Sequence, residues 1–214
     1  MQQPDRSAPR LVLASGSPAR LATLRAAGLD PAVLTSGVDE DAVVATLDDP
    51  APATVAQVLA TAKCAAVATE LRDTGSTLVV GCDSVLELDG AAYGKPADAA
   101  DAVGLWQRMR GRTGVLHTGH CVRRLPGGEE RRAVASTTVR FAEVSDAEVA
   151  AYVRTGEPLA VAGAFTLDGL GGAYVRAVEG DPHNVVGISL PLLRDLVADL
   201  GTVWHTLWAR SGAG

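Results

Sequence analysis

A short apolar segment that leads directly into a helix start constrains the fold of this chain more than any other feature. Residues 10–14, RLVLA, have the composition of a buried strand. Ser17 suits a helix N-cap, because its hydroxyl can accept a hydrogen bond from a free backbone N–H, and Pro18 suits the first helical position. A strand that passes into a helix within a few residues indicates an α/β protein.

The rest of the chain continues this pattern. Apolar residues at helical spacing predict helices over about residues 54–71, 98–111 and 189–200, and Ser145 with Glu148 forms a predicted capping box. Strand-like segments are predicted at residues 31–37, 77–88, 115–124, 133–142 and 173–178. Early alternation of strands and helices, followed by two long paired β segments, predicts an α/β fold with a mixed, twisted sheet.

Composition excludes several classes of protein. The chain of 214 residues carries a formal net charge of −6, which does not favour nucleic acid or anionic membrane as a partner. No apolar run approaches the ~18 residues of a membrane helix, and the N-terminus lacks the apolar core of a signal peptide. Three cysteines without C-x-x-C spacing argue for a reducing compartment. We therefore expect a cytoplasmic protein.

Asp83 is the first candidate for chemistry. It follows the apolar run of residues 78–82, and ligands of α/β sheets gather at the carboxyl ends of strands. A carboxylate there could bind a metal ion or accept a proton from water, whereas the alternative is a turn or cap residue.

Two lysines and one acid are further candidates, each with a simpler alternative. Lys63 borders the apolar stripe of its helix, so its ammonium could reach a cleft or extend into solvent. Lys95 precedes a helix and could share an anion with free N–H groups, or lie in a solvated loop. Glu40 lies in the acidic segment VDED, which could supply a ligand for Mg²⁺ or be a solvated loop.

Several familiar motifs are absent or weak. His117 and His120 lie in a strand-like segment, where their odd spacing sends them to opposite faces and disfavours a metal pair. The GLGG near residue 170 favours a flexible turn, because the G-x-G-x-x-G dinucleotide pattern is missing. The chain also lacks the P-loop motif and the G-x-S-x-G elbow of serine hydrolases.

Taken together, the segments resemble the Maf family of nucleoside triphosphate pyrophosphatases, also labelled septum-formation proteins. Each piece is weak by itself, but the ordered set is specific and covers about residues 10–198. The pieces are LASGSPAR, VDED, ATAKCAA, GCDSV, GKPADAADA, GRTGVLHTGH, EVAAYVRTGEP, AGAFTLDGLGG and VEGDPHNVVGISLPLL. The resemblance implies a two-lobed fold, with a curved mixed central sheet flanked by helices around a deep cleft.

The resemblance also implies an activity, namely hydrolysis of a nucleoside triphosphate between its α and β phosphates with a divalent cation, Mg²⁺ or Mn²⁺. Carried over by position, Asp83 matches the family's proton acceptor, and Glu40 with Asp83 forms the implied metal site. The implied phosphate-binding residues are Ser15, Ser17, Arg20, Lys63 and Lys95.

The departures from the family pattern concern the base. Ala19, Gly114, Val161 and Asp168 stand where many members of the dTTP/UTP branch have Arg, His, Lys and Gln. Most of these departures resemble the branch that acts on 7-methyl-GTP, but Ala19 is small where that branch tends to carry an aromatic residue. Asp168 is the base-contact candidate, since carboxylates accept hydrogen bonds from base amino groups. The base preference stays open.

Two kinds of function remain at this point. The first is a pyrophosphatase that removes non-standard nucleotides, and the second is a non-catalytic nucleotide-sensing regulator of cell division. The presence of Asp83 favours the enzyme, because a sensor needs no general base. We expect a single domain over residues 10–200, a disordered tail over 1–9, a loosely held tail over 201–214 and a possible homodimer.

Overall fold

The computed structural model describes residues 8–48, 50–71 and 75–209. Most of the predicted N-terminal tail, residues 1–7, and the end of the predicted C-terminal tail, residues 210–214, lie outside the described residues. The described chain forms one mixed sheet with helices packed on it, which confirms the predicted α/β class. No helix in these three ranges is both long enough and apolar enough to cross a bilayer.

The strands and helices alternate in the first half of the chain. The strands are β1 (Arg10–Leu13), β2 (Ala32–Val33), β3 (Thr77–Leu88), β4 (Ala91–Tyr93), β5 (Thr113–Leu125), β6 (Glu130–Phe141) and β7 (Val175–Glu179). The α-helices are α1 (Pro18–Ala26), α2 (Glu40–Val44), α3 (Pro52–Glu70), α4 (Ala99–Met109), α5 (Asp146–Arg154), α6 (Pro182–Val186) and α7 (Leu190–Asp199). Short 3-10 helices cover Glu157–Ala160, Ala162–Ala164, Leu170–Tyr174 and Trp204–Leu207.

The helix starts follow the local sequence closely. Ser17 caps α1 with Pro18 at the first helical position, and Ser145 and Glu148 form the predicted capping box of α5. Gly28 follows α1 with a positive φ of 82°, a conformation that glycine adopts at little cost. These predictions are confirmed, because each depends on contacts within about four residues.

The sheet has the strand order β2-β1-β3-β5-β6-β7, with β4 also paired to β3. The β1 strand runs parallel to both of its neighbours, and the remaining pairs are antiparallel. On one side β3 pairs with β5 along almost its whole length. On the other side it pairs with β1 over residues 77–80 and with β4 over residues 86–88.

The two long strands β3 and β5 run through the whole core. On one face, a cluster that includes Leu78, Val80 and Cys82 packs against α1 and α7. Farther along the same face, Leu86 and Leu88 pack in a second cluster around the fully buried Trp106. Ser84 lies between the two clusters, so a polar position interrupts the apolar face. The α3 helix covers the opposite face.

The chain after α7 continues to pack against the protein. The 3-10 helix Trp204–Leu207 buries Leu207 in the cluster around α1 and α7, and Trp208 forms a β-bridge with Leu29. The apolar contact accounts for this arrangement, although the sequence analysis placed residues 201–209 in the loosely held tail.

Candidate active site

An unpaired stretch in the edge of β3 defines the candidate site. Since β1 ends at Leu13 and β4 begins pairing at Leu86, no described strand pairs with β3 over residues 81–85 on that side. Asp83 stands at the middle of this stretch, opposite Gly119 of β5. The strand predicted over residues 77–88 is confirmed, and Asp83 lies inside it and not at its carboxyl end. The strand that ends here is β1, and its following loop carries Ser15 and Ser17.

Two glycines of the sheet bring α3 close to Asp83. A Cβ atom added at Gly81 would lie 2.3 Å from the Ala60 carbonyl oxygen, and one at Gly119 would lie 2.3 Å from that of Ala56. Any larger residue would push the helix away from the sheet. At this short separation, Lys63 of α3 extends over β3 to reach Asp83.

Lys63 holds the two acidic candidates together. Its Nζ lies 2.5 Å from Asp83 Oδ1 and 2.8 Å from Glu40 Oε1. Lys63 and Asp83 are buried, whereas the Glu40 side chain is half exposed at the start of α2. The acidic segment VDED is thus not only a solvated loop: Asp39 caps α2, and Glu40 turns towards Lys63.

Burial and the nearby charges have opposing effects on the pKa of Asp83. Burial raises the pKa of the Asp83 carboxyl above its ordinary value, and the nearby Lys63 and Arg20 cations only partly offset this effect. Glu40 adds a smaller contribution in the same direction as burial. A carboxylate whose proton affinity is raised in this way is better suited to accept a proton from water than an ordinary aspartate.

Arg20 lies at the same junction and is held by three oxygen acceptors. Its Nε donates to the Gly187 carbonyl at 2.7 Å, and its two terminal nitrogens donate to Ser15 Oγ and Ser84 Oγ, each at 3.0 Å. Ser17 caps α1 by accepting a hydrogen bond from the Arg20 backbone N–H. The Ser15–Ser17 loop, the first turn of α1 and the Arg20 side chain therefore form one unit.

The Arg20 guanidinium is buried and makes no direct ion pair within the described residues, although it lies near enough to Asp83 to influence the pKa of that carboxyl. The residue is 9% exposed, and no carboxylate of the described chain forms an ion pair with it. A guanidinium carries five N–H donors, and the three contacts above leave one on each terminal nitrogen. Guanidinium donors of this kind suit the oxygens of a phosphate group.

Lys95 and Asp168 are not part of this cluster. Both are exposed, and neither forms a hydrogen bond or ion pair with another residue of the described ranges. The residue before Lys95 contacts the 3-10 helix Ala162–Ala164, which precedes the Asp168 loop, since the Gly163 N–H donates to the Gly94 carbonyl at 2.9 Å. The structure thus separates the predicted residues into a buried group around Asp83 and an exposed pair on neighbouring loops.

The Asp168 loop is organised by Glu157, a residue that sequence reasoning missed. The Glu157 carboxylate accepts hydrogen bonds from the Thr166 hydroxyl, from the Tyr152 hydroxyl at 3.1 Å and from the backbone N–H groups of Leu170 and Gly171 at 3.1 Å. Residues 170–174 consequently form a 3-10 helix where the sequence suggested a flexible turn. No local pattern marks this role, because the partners lie 5 to 14 residues away.

Substituting Glu157 should expose its contribution to stability. We expect Glu157→Gln to lower the free energy of unfolding by about 1–3 kcal/mol, since charged hydrogen bonds are replaced by a neutral amide with fewer acceptor sites. Partial burial raises the pKa of Glu157, but the hydrogen bonds from Thr166, Gly171 and Leu170 outweigh it and the pKa lies below its ordinary value. The contribution is therefore complete above the ordinary carboxyl pKa and is lost as pH falls through the lowered one.

Thermal unfolding at several pH values tests this expectation. The Tm difference between wild type and Glu157→Gln should be present at pH 7 and shrink in acid. Glu179→Gln is the matched control, because its exposed carboxylate lies 3.7 Å from Arg140 and such surface pairs contribute little. Equal Tm values for all three proteins at pH 7 would contradict the proposed role of Glu157.

The histidines occupy opposite faces of β5, as their spacing predicts. His117 lies between Ser136 Oγ and Glu87 Oε2, each at 2.8 Å. His120 is fully buried on the other face, where its Nε2 accepts from the Ser189 N–H at 2.9 Å, and burial lowers its pKa to about 4. His120 is thus neutral at pH 7 and tethers the start of α7 to the sheet.

The acidic pair fits a hard divalent cation. Asp83 and Glu40 both reach one ammonium group, so their carboxylates are close together, and the second oxygen of each accepts no hydrogen bond from the described residues. No group of three or more acidic, histidine or cysteine side chains in those residues could hold an ion by itself. This is compatible with Mg²⁺, which is commonly bound by one or two carboxylates together with water and substrate phosphates.

Several known proteins are similar to this chain over most of its length. Residues 10–200 match the family model described as Maf-like protein. A protein of Salinispora tropica named nucleoside triphosphate pyrophosphatase is 59% identical over 203 residues, which cover 94% of this chain and 88% of that protein. Proteins with the same name from Streptomyces coelicolor (58% over 200 residues; 94% and 95% covered) and Nocardia farcinica (55% over 203 residues; 92% and 96% covered) are also similar.

Proposed function

This chain belongs to the Maf-like protein family, and on that premise we propose that it is a nucleoside triphosphate pyrophosphatase. Water attacks the α-phosphorus of a nucleoside triphosphate, the bond to the β-phosphate oxygen breaks, and a nucleoside monophosphate and pyrophosphate leave. The observation that carries the proposal is the buried Arg20 guanidinium, which has two free N–H donors and no carboxylate partner in the described chain.

The phosphate groups bind at the loop after β1. Arg20 donates its two remaining N–H groups to phosphate oxygens, and the first turn of α1 contributes free backbone N–H groups and its positive dipole end. Ser15 and Ser17 line this loop, and Lys63 supplies a second buried cation. Lys95, an exposed cation outside this cluster, is proposed to bind the outer phosphates.

Asp83 accepts the proton of the attacking water. Its carboxylate is held in place by Lys63, and burial raises its pKa, which favours its role in orienting water and accepting a proton from it. Asp83 and Glu40 would hold a divalent cation, Mg²⁺ or Mn²⁺, which would screen the developing negative charge. Positioning and electrostatic stabilisation account for most of this chemistry.

A pyrophosphate-release assay tests the proposal. The purified protein is incubated with a panel of standard and modified triphosphates, including UTP, dTTP, GTP and 7-methyl-GTP, with Mg²⁺ or Mn²⁺. We expect release of pyrophosphate and the matching monophosphate in equal amounts. Release of inorganic phosphate with a diphosphate would contradict cleavage between the α and β phosphates. Binding without any turnover would favour the alternative, a nucleotide-sensing regulator of division.

The base preference is proposed to depend on Asp168. Its exposed carboxylate lies on the loop held by Glu157, where it could accept hydrogen bonds from the N–H edge of guanine. We expect Asp168→Ala to lower the ratio of kcat/KM for 7-methyl-GTP over UTP by about 10-fold, the usual value of one base-edge contact. Asp146→Ala, which removes an exposed carboxylate at the start of α5, is the control, and an unchanged ratio in Asp168→Ala would exclude the contact.

The cellular setting is also proposed. Removal of non-standard nucleotides in the cytoplasm agrees with the three cysteines, all of which are buried and unpaired by disulfides. A homodimer, and the lack of nucleic-acid and membrane partners, remain predictions from the sequence.

A further inference from the structure

Arg20 is held by a segment that follows it by more than 160 residues. We infer that Asn184 is a positioning residue for Arg20, because the buried Asn184 side chain anchors the α6 segment whose backbone fixes the guanidinium. The inference rests on the proposed function, in which Arg20 binds the substrate phosphates. Asn184 is fully buried and therefore does not touch a ligand itself.

The Asn184 side chain fastens α6 to the sheet at three points. Its Nδ2 lies 3.0 Å from the Leu116 carbonyl oxygen, 3.0 Å from Thr137 Oγ1 and 3.3 Å from the Ala135 carbonyl oxygen. These acceptors belong to β5 and β6. A helix of five residues has little stability of its own, so its position depends on such tertiary contacts.

A chain of hydroxyl groups leads from Asn184 to Arg20. Thr118 Oγ1 donates to the backbone carbonyl oxygen of Asn184 at 3.2 Å. The lone pairs of the Thr118 hydroxyl therefore face Ser84 Oγ, 2.9 Å away. Ser84 then donates its single proton to Thr118 and is left as an acceptor for Arg20 Nη2 at 3.0 Å. The backbone carbonyl of Asn184, at the end of this hydrogen-bond chain, therefore sets the donor and acceptor roles of both hydroxyl groups.

The end of α6 supplies the second contact. Gly187 terminates the helix with a φ of 117°, and its carbonyl oxygen accepts from Arg20 Nε at 2.7 Å. A Cβ atom at Gly187 would lie 3.1 Å from the same Nε, so the backbone approaches the guanidinium closely. His120 holds Ser189, two residues further on, through the buried 2.9 Å hydrogen bond.

Two of the three hydrogen bonds of the Arg20 guanidinium, those to Gly187 and Ser84, therefore depend on the position that the Asn184 side chain gives to α6. A long side chain that is fixed before the ligand binds loses less conformational entropy on binding and presents its donors at the productive angle. If Asn184 is lost, Arg20 keeps its charge but not its orientation. The expected consequence is weaker phosphate binding rather than loss of the proton acceptor.

A double-mutant cycle separates positioning from a general structural effect. We expect Asn184→Ala to lower kcat/KM by about 10–50-fold in the wild type but by less than about 2-fold in an Arg20→Leu background, because coupled residues are non-additive. KM should account for more of the loss than kcat. Equal losses in the two backgrounds would overturn the inference. His183→Ala, at an exposed neighbouring position of α6, is the matched control and should leave kcat/KM unchanged.

A second variant and a second readout keep the test decisive. If Asn184→Ala does not fold, Thr118→Val replaces it, since this isosteric change removes the hydroxyl between Asn184 and Ser84. If Arg20→Leu is too slow to assay, calorimetric binding of inorganic pyrophosphate supplies the same cycle. A wild type that releases no pyrophosphate refutes the proposed function. A wild type that turns over with an additive cycle refutes only the role of Asn184.

Discussion

Asp83→Asn is expected to lower kcat by about 10²–10⁴-fold, the usual contribution of a positioned acid–base group. The amide has the size of the carboxylate but cannot accept a proton at neutral pH. Lys63 keeps its contact with Glu40, so the ammonium retains one counter-ion and the local fold should persist. Removing a buried charge also lowers the desolvation cost that raises the pKa of Asp83.

Steady-state release of pyrophosphate, together with a thermal melt, checks this result. Asp195→Asn is the matched control, because it changes the same group on the exposed surface of α7. We expect the control to keep wild-type kcat and the Asp83 variant to keep a Tm within a few degrees of wild type. A folded Asp83→Asn protein with undiminished turnover would exclude Asp83 as the proton acceptor.

Arg20→Leu is expected to lower kcat/KM by about 10²–10⁴-fold. Two charged hydrogen bonds to phosphate, at about 1.5–3 kcal/mol each, would be lost, and every 1.4 kcal/mol corresponds to a factor of ten. The effect on stability should be small. Loss of three hydrogen bonds to the protein destabilises the fold, while removal of a buried cation without a carboxylate partner stabilises it.

The role of Arg20 is tested by measuring both kcat/KM and Tm of the Arg20→Leu protein. We expect the Tm of the Arg20→Leu protein to differ from that of wild type by less than about 4 °C. For a chain of this size, this corresponds to a change of roughly 1 kcal/mol in the free energy of unfolding. Arg194→Leu is the control, since that arginine is exposed on α7 and, among the described residues, forms an ion pair with its neighbour Asp195 alone. An Arg20→Leu protein with wild-type kcat/KM would remove the main support for the proposed phosphate site.

Local sequence patterns predicted the elements well. Ser17 with Pro18, and Ser145 with Glu148, start helices as expected, because capping requires only contacts within the first turn. The same holds for the hairpin of β5 and β6 and for the placement of His117 and His120 on opposite faces. Each of these predictions depends on backbone periodicity or on neighbours a few residues apart.

The position of Asp83 shows where local patterns stop being informative. The sequence predicts a strand over residues 77–88, as β3 forms, but it does not predict which part of the edge of that strand stays unpaired. Whether a strand edge is covered depends on where β1 and β4 end, which lies in other parts of the chain. Asp83, which contacts Lys63 in the cluster with Glu40, lies in the stretch of β3 that neither β1 nor β4 pairs with.

The sequence alone determined the α/β class, the helix starts, the family and the polar residues that carry the chemistry, because these depend on local periodicity, capping and ordered motifs. Only the tertiary structure decided which of those residues meet. It placed Lys63 between Asp83 and Glu40, joined Arg20 to Gly187 across 167 positions, and left Lys95 and Asp168 on separate loops. Such contacts form between groups far apart in the chain, so no local pattern contains them. They arise only when helix and strand packing brings the groups within hydrogen-bonding distance.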